Sequence, residues 1–242
     1  MRVCAVIPAA GRGSRLALDR PKILAPLNAR DTIWSVLYAR LAPLVDHVHL
    51  VLSPEGAREF PDTPPHVTQS IQENPTGMGD AIFGARAHWE SFDAILIVWG
   101  DQVFVSEDTL RRALAALAMP PHAAVLPVTR MAAPYVDYVF DGATLTKVLQ
   151  TREGDVTRPN GYSDVGTFLL GTRDLAAAWD TYRIQAPRGS QTGEINFLPF
   201  LPFLSANGWI ITPLEVADPI EARGINTPED LSFFQERYKD AP

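Results

Sequence analysis

The sequence predicts an α/β fold built on a mostly parallel sheet with an inserted antiparallel hairpin region, and three observations carry that prediction. Short runs rich in Val, Ile and Leu at residues 3–7, 47–52 and 94–99 alternate with helix-length segments such as 32–44 and 79–89. Strands separated in this way are joined by helical crossovers, the connection that parallel pairing needs. Residues 135–140 and 144–150 read differently, as two strands joined at Asp141-Gly142, a dipeptide that accepts the positive φ of a tight hairpin turn. Finally, the 242 residues are 46% hydrophobic and 20% charged, which supplies one sizeable core and rules out a disordered chain.

Taken in order, the 3–7 strand runs into a glycine-bearing loop, and 32–44 reads as the first helix. Residues 61–65, bounded by prolines, are a turn or loop too short to link domains. Residues 106–119 read as a further helix. The last is 228–238, with Thr227 as N-cap, Pro228 at its first position, and Glu229 and Asp230 complementing the dipole of its first turn. The most apolar long stretch, 195–213, is broken by Asn196, Pro199, Pro202, Asn207 and Gly208, so it reads as folded core and not as a membrane span.

Charge and composition exclude several functions. Lys plus Arg number 21 against 28 Asp plus Glu, a net charge of −7, which disfavours a broad nucleic-acid footprint. The single Cys4 excludes a disulfide framework and any multi-cysteine zinc site, and cytoplasm is the expected compartment. His47 and His49 share a strand face without a third ligand, so they read as structural. Trp34, Trp89, Trp179 and Trp209 read as core.

Against this acidic background, residues 11–22 hold Arg12, Arg15, Arg20 and Lys22 with only Asp19 opposing them. They follow a strand in the run Ala9-Ala10-Gly11-Arg12-Gly13-Ser14-Arg15, where glycines allow backbone N–H groups to approach phosphate oxygens. The dinucleotide fingerprint is incomplete, because Leu16 stands where its third glycine belongs, and no Walker Gly-Lys-Ser/Thr is present. Asp101 ends the strand at 94–99 in Trp99-Gly100-Asp101, and the carboxyl ends of strands are where open α/β sheets bind ligands. Taken singly, Asp101 reads equally as a loop residue, Asn226 as part of a helix-capping turn, and Gln72 as an exposed strand residue.

Together, these segments resemble the sugar-phosphate nucleotidyltransferases, or nucleoside-diphosphate-sugar pyrophosphorylases, with an NTP transferase domain of the MobA-like and GlmU-uridyltransferase-like kind. The resemblance rests on Ala9 to Arg15 with Pro21-Lys22, on Gln72-x-x-Pro75-x-Gly77-x-Gly79-Asp80-Ala81, on Gly100-Asp101, and on Gly224-Ile225-Asn226, all in the family's order. It implies a Rossmann-like sheet of the nucleotide-diphospho-sugar transferase type. It further implies that Ala9, Ala10, Gly11 and Gly13 wrap a nucleoside triphosphate, that Arg15 and Lys22 act on its phosphates, and that Gln72, Gly77 and Gly79 read the base. Asp101 and Asn226 would then bind Mg2+.

At the acceptor end, the resemblance points to Gln150, Arg152, Asp164, Gly166 and Glu194, with departures. Gln150 stands where many members carry a Glu, Arg152 where a Lys follows, and Asp164-Val165-Gly166 where Asn-Thr-Gly is common.

The expectation is therefore a single domain over 1–242, nucleotide-binding over about 1–130 and acceptor-binding over about 131–220. It has no room for the acetyltransferase domain fused to some relatives. Its reaction would be magnesium-dependent nucleotidyl transfer to a sugar 1-phosphate, releasing pyrophosphate. Its partners would be a nucleoside triphosphate, pyrimidine favoured, and a phosphorylated small-molecule acceptor, with no nucleic acid and no membrane. Two alternatives stand beside this, a cytidylyltransferase for a non-sugar phosphate such as phosphocholine and a catalytically silent nucleotide-sensing module.

Overall fold

The computed structural model describes residues 1–11, 16, 18, 20–60, 62–74, 76–117 and 122–239. Ten strands and seven helices lie within them: β1 (Val3–Ala9), α1 (Ile33–Leu41), β2 (His47–Leu52), α2 (Pro54–Glu59), β3 (Val67–Ile71), α3 (Met78–Gly84), β4 (Ala94–Val98), α4 (Glu107–Ala116), β5 (Ala123–Met131), β6 (Val136–Asp141), β7 (Thr144–Gln150), β8 (Gly161–Asp164), β9 (Thr167–Gly171), α5 (Leu175–Gln185), α6 (Phe200–Ala206), β10 (Ile210–Glu215) and α7 (Pro228–Tyr238). All ten strands form one sheet, in which β3-β2-β1-β4 are parallel, β9 continues antiparallel to β4, and β10 runs parallel to β5 on its outer side.

The predicted hairpin is β6 and β7, paired antiparallel with a register irregularity at Val139/Phe140. The antiparallel part of the sheet is larger than the hairpin. β8 and β9 form one nearly continuous line against β5, bent at Val165-Gly166, and β8 also carries the hairpin through Tyr138 and Tyr162. These strands escape periodicity because both faces are covered. The sheet separates two apolar cores, one holding Ala5, Ile7, Leu50, Leu96 and Phe234, the other Val6, Ile97, Leu126, Tyr138 and Trp179.

Boundaries follow local chemistry. Thr32 and Ser35 close a capping box on α1, and Thr227 and Asp230 close one on α7. α3 stops earlier than the predicted 79–89 helix and passes into a 3-10 turn over Arg86–His88. That tightening buries the Trp89 indole, whose Nε1–H donates to the Ile82 carbonyl at 2.8 Å. α4 occupies ten residues of the predicted 106–119 helix, capped by Ser106, and residues 118–121 lie outside those described. The four tryptophans read as core are indeed buried. Cys4 is buried too, which pushes its thiol up to about 12 and leaves it unreactive. Among the described residues no helix is long and apolar enough to cross a membrane.

His49 is fully buried and hydrogen-bonded through Nδ1 to Thr68 Oγ1 at 2.8 Å and through Nε2 to Ser70 Oγ at 2.9 Å. Burial, helped by the neighbouring His88 and His47, pushes its pKa down to about 3. The unfolded chain therefore takes up this proton first, and stability falls as pH drops from about 6.5 towards 3. Thermal unfolding at pH 7 and pH 5 should show a larger loss for the wild type than for His49→Gln. Equal losses would remove His49 as the source.

Candidate active site

Parallel pairing places the carboxyl ends of β1 and β4 side by side, and that adjacency builds the site. The β1 end passes into Ala9, Ala10 and Gly11, of which Ala10 is buried and Gly11 exposed, with nothing among the described residues near where its side chain would stand. The β4 end passes into Gly100 and Asp101, and a Cβ on Gly100 would lie 3.4 Å from the Ala9 Cβ. The two strand ends thus lie side by side. Lys22, opening a 3-10 turn over Lys22–Leu24, is thereby carried to Asp101, with Nζ 2.6 Å from Oδ2 and only about a fifth of each side chain exposed. Arg15 and Gly13, like Arg12, fall outside the described residues.

Asn226 reaches the same point from the far end of the chain. The Ile225 N–H donates to the Asp101 carbonyl at 3.2 Å, and the Asn226 N–H to Asp230 Oδ2 at 3.1 Å. Gly224 permits this approach, since a Cβ there would sit 3.3 Å from both Asp101 Cγ and Asn226 Nδ2. As a result the Lys22 ammonium also lies 3.4 Å from Asn226 Oδ1. Asp230 is a strong anchor for this turn. Partial burial raises its pKa, but hydrogen bonds from the Asn226 N–H, Arg223 and Thr227 outweigh that and hold it below the usual carboxylate range.

The predicted base-reading segment follows β3. The Gln72 N–H continues the sheet by donating to the Leu52 carbonyl at 2.8 Å, and its side-chain amide donates to the Gly77 carbonyl at 3.3 Å. Gly77 takes φ +131°, and a Cβ there would meet the Ile195 carbonyl at 3.0 Å and the Glu194 Cβ at 3.4 Å. This packs the Gln72 loop against the predicted acceptor segment. Gly79 is buried in α3 directly beneath Trp179, where a Cβ would fall 2.1 Å from the indole, so its geometry is that of a packing position. Trp179 is held in turn by stacking on Phe83 at 4.5 Å and by an edge contact with Phe200. Gly79→Ala should therefore cost about 1–3 kcal/mol of stability. An unchanged denaturation midpoint would show that the indole can move.

The acceptor candidates fall into two groups. Arg152 and Glu194 form an ion pair at 3.3 Å, beside the turn that ends β7. Gln150 is buried at that strand's end, with its backbone N–H donating to Asp155 Oδ2 at 2.8 Å. Asp164 and Gly166 form the second group, at the bend between β8 and β9. The Asp164 carboxylate accepts from Tyr138 Oη at 2.9 Å and from the Gly166 N–H at 2.7 Å. Burial raises the Asp164 pKa, the two hydrogen bonds oppose this, and the charge of nearby Asp101 raises it further. Gly166, at φ +70°, rests on Gln102, leaving no space for a side chain.

Residues 5–187 match the MobA-like NTP transferase domain, a family of nucleotidyltransferases. The chain belongs to that family. Among curated relatives, the MobA-like chain is 28% identical over 245 residues to the bifunctional protein GlmU of Acidithiobacillus ferrooxidans and 26% identical over 251 residues to that of Aquifex aeolicus. Each alignment covers 97% of this chain but only 51% and 53% of the relative, so the chain spans about half the length of the curated relatives it matches. A Bacillus anthracis structure described as a glucose-1-phosphate thymidylyltransferase, solved with sucrose, superposes with a TM-score of 0.74 at 15% identity, covering 99% of this chain and 96% of that one. At that identity it shows the fold, an α/β sheet of the nucleotide-diphospho-sugar transferase type.

The donor chemistry of this MobA-like domain suits a hard divalent ion. Asp101 and Asn226 offer one carboxylate and one amide oxygen to a single point, and the Lys22 ammonium between them is a stand-in cation. Magnesium commonly takes one or two protein oxygens and completes its shell with water and phosphate. A cage of protein ligands alone is not needed, and among the described residues no group of three or more His, Cys, Asp or Glu could hold a metal.

Sequence reasoning missed Glu153. Its carboxylate accepts from the Gln191 N–H at 3.0 Å, Thr192 Oγ1 at 2.8 Å and Asn196 Nδ2 at 3.1 Å. Partial burial raises its pKa, and these donors more than reverse that, bringing it to about 2. It ties the Arg152 turn to the loop bearing Glu194, and no spacing in the sequence signals partners so remote. A surface pocket of about 370 Å³ lined by Arg130, Phe140, Arg158 and Tyr162 contains none of the predicted site residues. Convergence of polar groups, not cavity size, therefore locates the candidate site.

Proposed function

We propose that this domain transfers a nucleotidyl group from a nucleoside triphosphate to a sugar 1-phosphate. The observation that carries the reading is the convergence of Lys22, Asp101 and Asn226, three polar residues from remote segments, at the carboxyl edge of the parallel strands. An oxygen of the acceptor phosphate attacks the α-phosphorus, the bond to the bridging α–β oxygen breaks, and pyrophosphate leaves with that electron pair. Because the acceptor is already anionic, no general base is required. The work is to hold two repelling anions in line, by the loop from Ala9 onward and by Lys22, whose ammonium moves onto phosphate oxygens that gain charge. Bound at Asp101 and Asn226, Mg2+ would neutralise phosphate charge and act as a Lewis acid.

Arg152 is suited to the acceptor's phosphate and Glu194 to its hydroxyls, which requires their ion pair to open when substrate enters. Gln72 carries a donor and an acceptor on one amide, the pair that uracil or thymine presents in complement. We therefore assign UTP or dTTP as the preferred donor. Released pyrophosphate should be measured across four triphosphates with sugar 1-phosphates and phosphocholine as acceptors. Turnover only with phosphocholine and CTP would replace this reading, and none with any pair would leave a nucleotide-sensing module. Gln72→Ala should narrow the discrimination among bases by roughly one to two powers of ten; unchanged selectivity would remove Gln72 from the base site.

A further inference from the structure

The ion pair at the centre of the site places Lys22 where the proposed reaction does not need it. Its ammonium touches Asp101 Oδ2 at 2.6 Å and approaches Asn226 Oδ1 at 3.4 Å, the two oxygens assigned to a divalent ion. A lysine acting on phosphates would face the nucleotide. Here it faces the metal ligands, in a contact about four-fifths buried.

The three groups differ in freedom. Asp101 and Asn226 are placed by backbone: the Ile225 N–H bonds to the Asp101 carbonyl, the Asn226 N–H to Asp230, and both side chains lie beside Gly224, where an added Cβ would stand 3.3 Å from each. Lys22 enters on a flexible four-carbon stem from a short 3-10 turn. Of the three, the ammonium is the group that can leave without disturbing the backbone.

We propose that Lys22 is a resident counter-cation, which holds the point between Asp101 Oδ2 and Asn226 Oδ1 while no nucleotide is bound and yields it to a divalent ion when triphosphate draws the ammonium away. The inference rests on the assignment of Asp101 and Asn226 as metal ligands. An ammonium and a divalent ion cannot share one carboxylate oxygen at contact distance, since their repulsion is strong in a partly desolvated site. In the nucleotide-free protein, the Asp101 charge is already neutralised by Lys22 and a divalent ion must displace it. Triphosphate reverses the balance, because its negative charges give both cations a place. The nucleotide-free protein is therefore metal-poor, and the divalent ion enters with the triphosphate or after it.

Mn2+, followed by its paramagnetic resonance signal, tests this without turnover. The proteins are wild type, Lys22→Met, Lys22→Ala and Lys22→Met with Asp101→Asn, each checked for its melting transition. Each is titrated with Mn2+ alone and with an α,β-methylene triphosphate that cannot be cleaved. Without nucleotide, Lys22→Met should bind Mn2+ up to roughly fivefold more tightly than wild type, the size expected for removing one partly exposed ion pair. Asp101→Asn should abolish that gain. Lys22→Ala should repeat it, and serves alone if the methionine variant does not fold. With the analogue present, wild type should bind Mn2+ more tightly than the analogue by itself does. Equal affinity of wild type and both Lys22 variants without nucleotide would overturn the counter-cation role and leave the metal assignment standing. If Asp101→Asn changes no Mn2+ affinity even with the analogue, the metal assignment itself falls, and this inference with it.

Discussion

Asp101→Ala is expected to lower turnover about a hundred- to a thousandfold at ordinary magnesium concentration, by analogy with the loss when one preorganised donor is removed from an oxyanion hole. The same change should barely alter the melting temperature. Asp101 makes an ion pair with Lys22 that is partly exposed, and such a pair contributes at most about 1 kcal/mol. Its backbone carbonyl, which receives the Ile225 N–H, survives the substitution. Asp101→Asn separates charge from shape, since the amide fills the same volume without the negative charge. If the alanine variant kept wild-type turnover and an unchanged magnesium requirement, Asp101 would have to leave the site.

Lys22→Ala is expected to cost about a hundredfold in kcat with a smaller change in KM, because the charge it offers strengthens as the phosphate oxygens gain charge in the transition state. Lys22→Arg should not restore the rate. A planar guanidinium is wider than an ammonium and does not reproduce its compact point charge on the phosphate oxygens. Comparing kcat and KM for the three proteins, beside their melting curves, checks both statements. A lowered melting temperature with equal rates would make Lys22 a structural residue, and full rescue by arginine would mean that only net charge matters.

Some of the architecture was legible in the residues and some was not, for reasons that can be named. β1, β2 and β4 announce themselves as aliphatic runs, and α7 does so through Thr227 and Pro228 at its start. The hairpin is signalled by Asp141-Gly142, and Gly142 does take positive φ. β8 and β9 are silent, being short and bent at Gly166, and paired on both sides by strands distant in sequence. Gly79 carries a second requirement that its motif does not show: the space where a side chain would stand is filled by Trp179, a hundred residues further along the chain.

The site divides in the same way. The local order of residues sufficed to identify the family, to nominate Lys22, Asp101 and Asn226, and to put Asp101 at a strand's end, because those features depend on neighbours in the chain. Only the folded chain decides that these three meet at one point. That meeting depends on parallel pairing of β1 with β4 and on a turn before α7 held by Asp230, neither of which any local pattern encodes. Only the fold, likewise, sets the Arg152–Glu194 pair and recruits Glu153 to hold the loop beside it. Short-range preference writes the elements, while the long-range contacts that bring side chains from remote segments within hydrogen-bonding distance exist only once both cores have closed around the sheet.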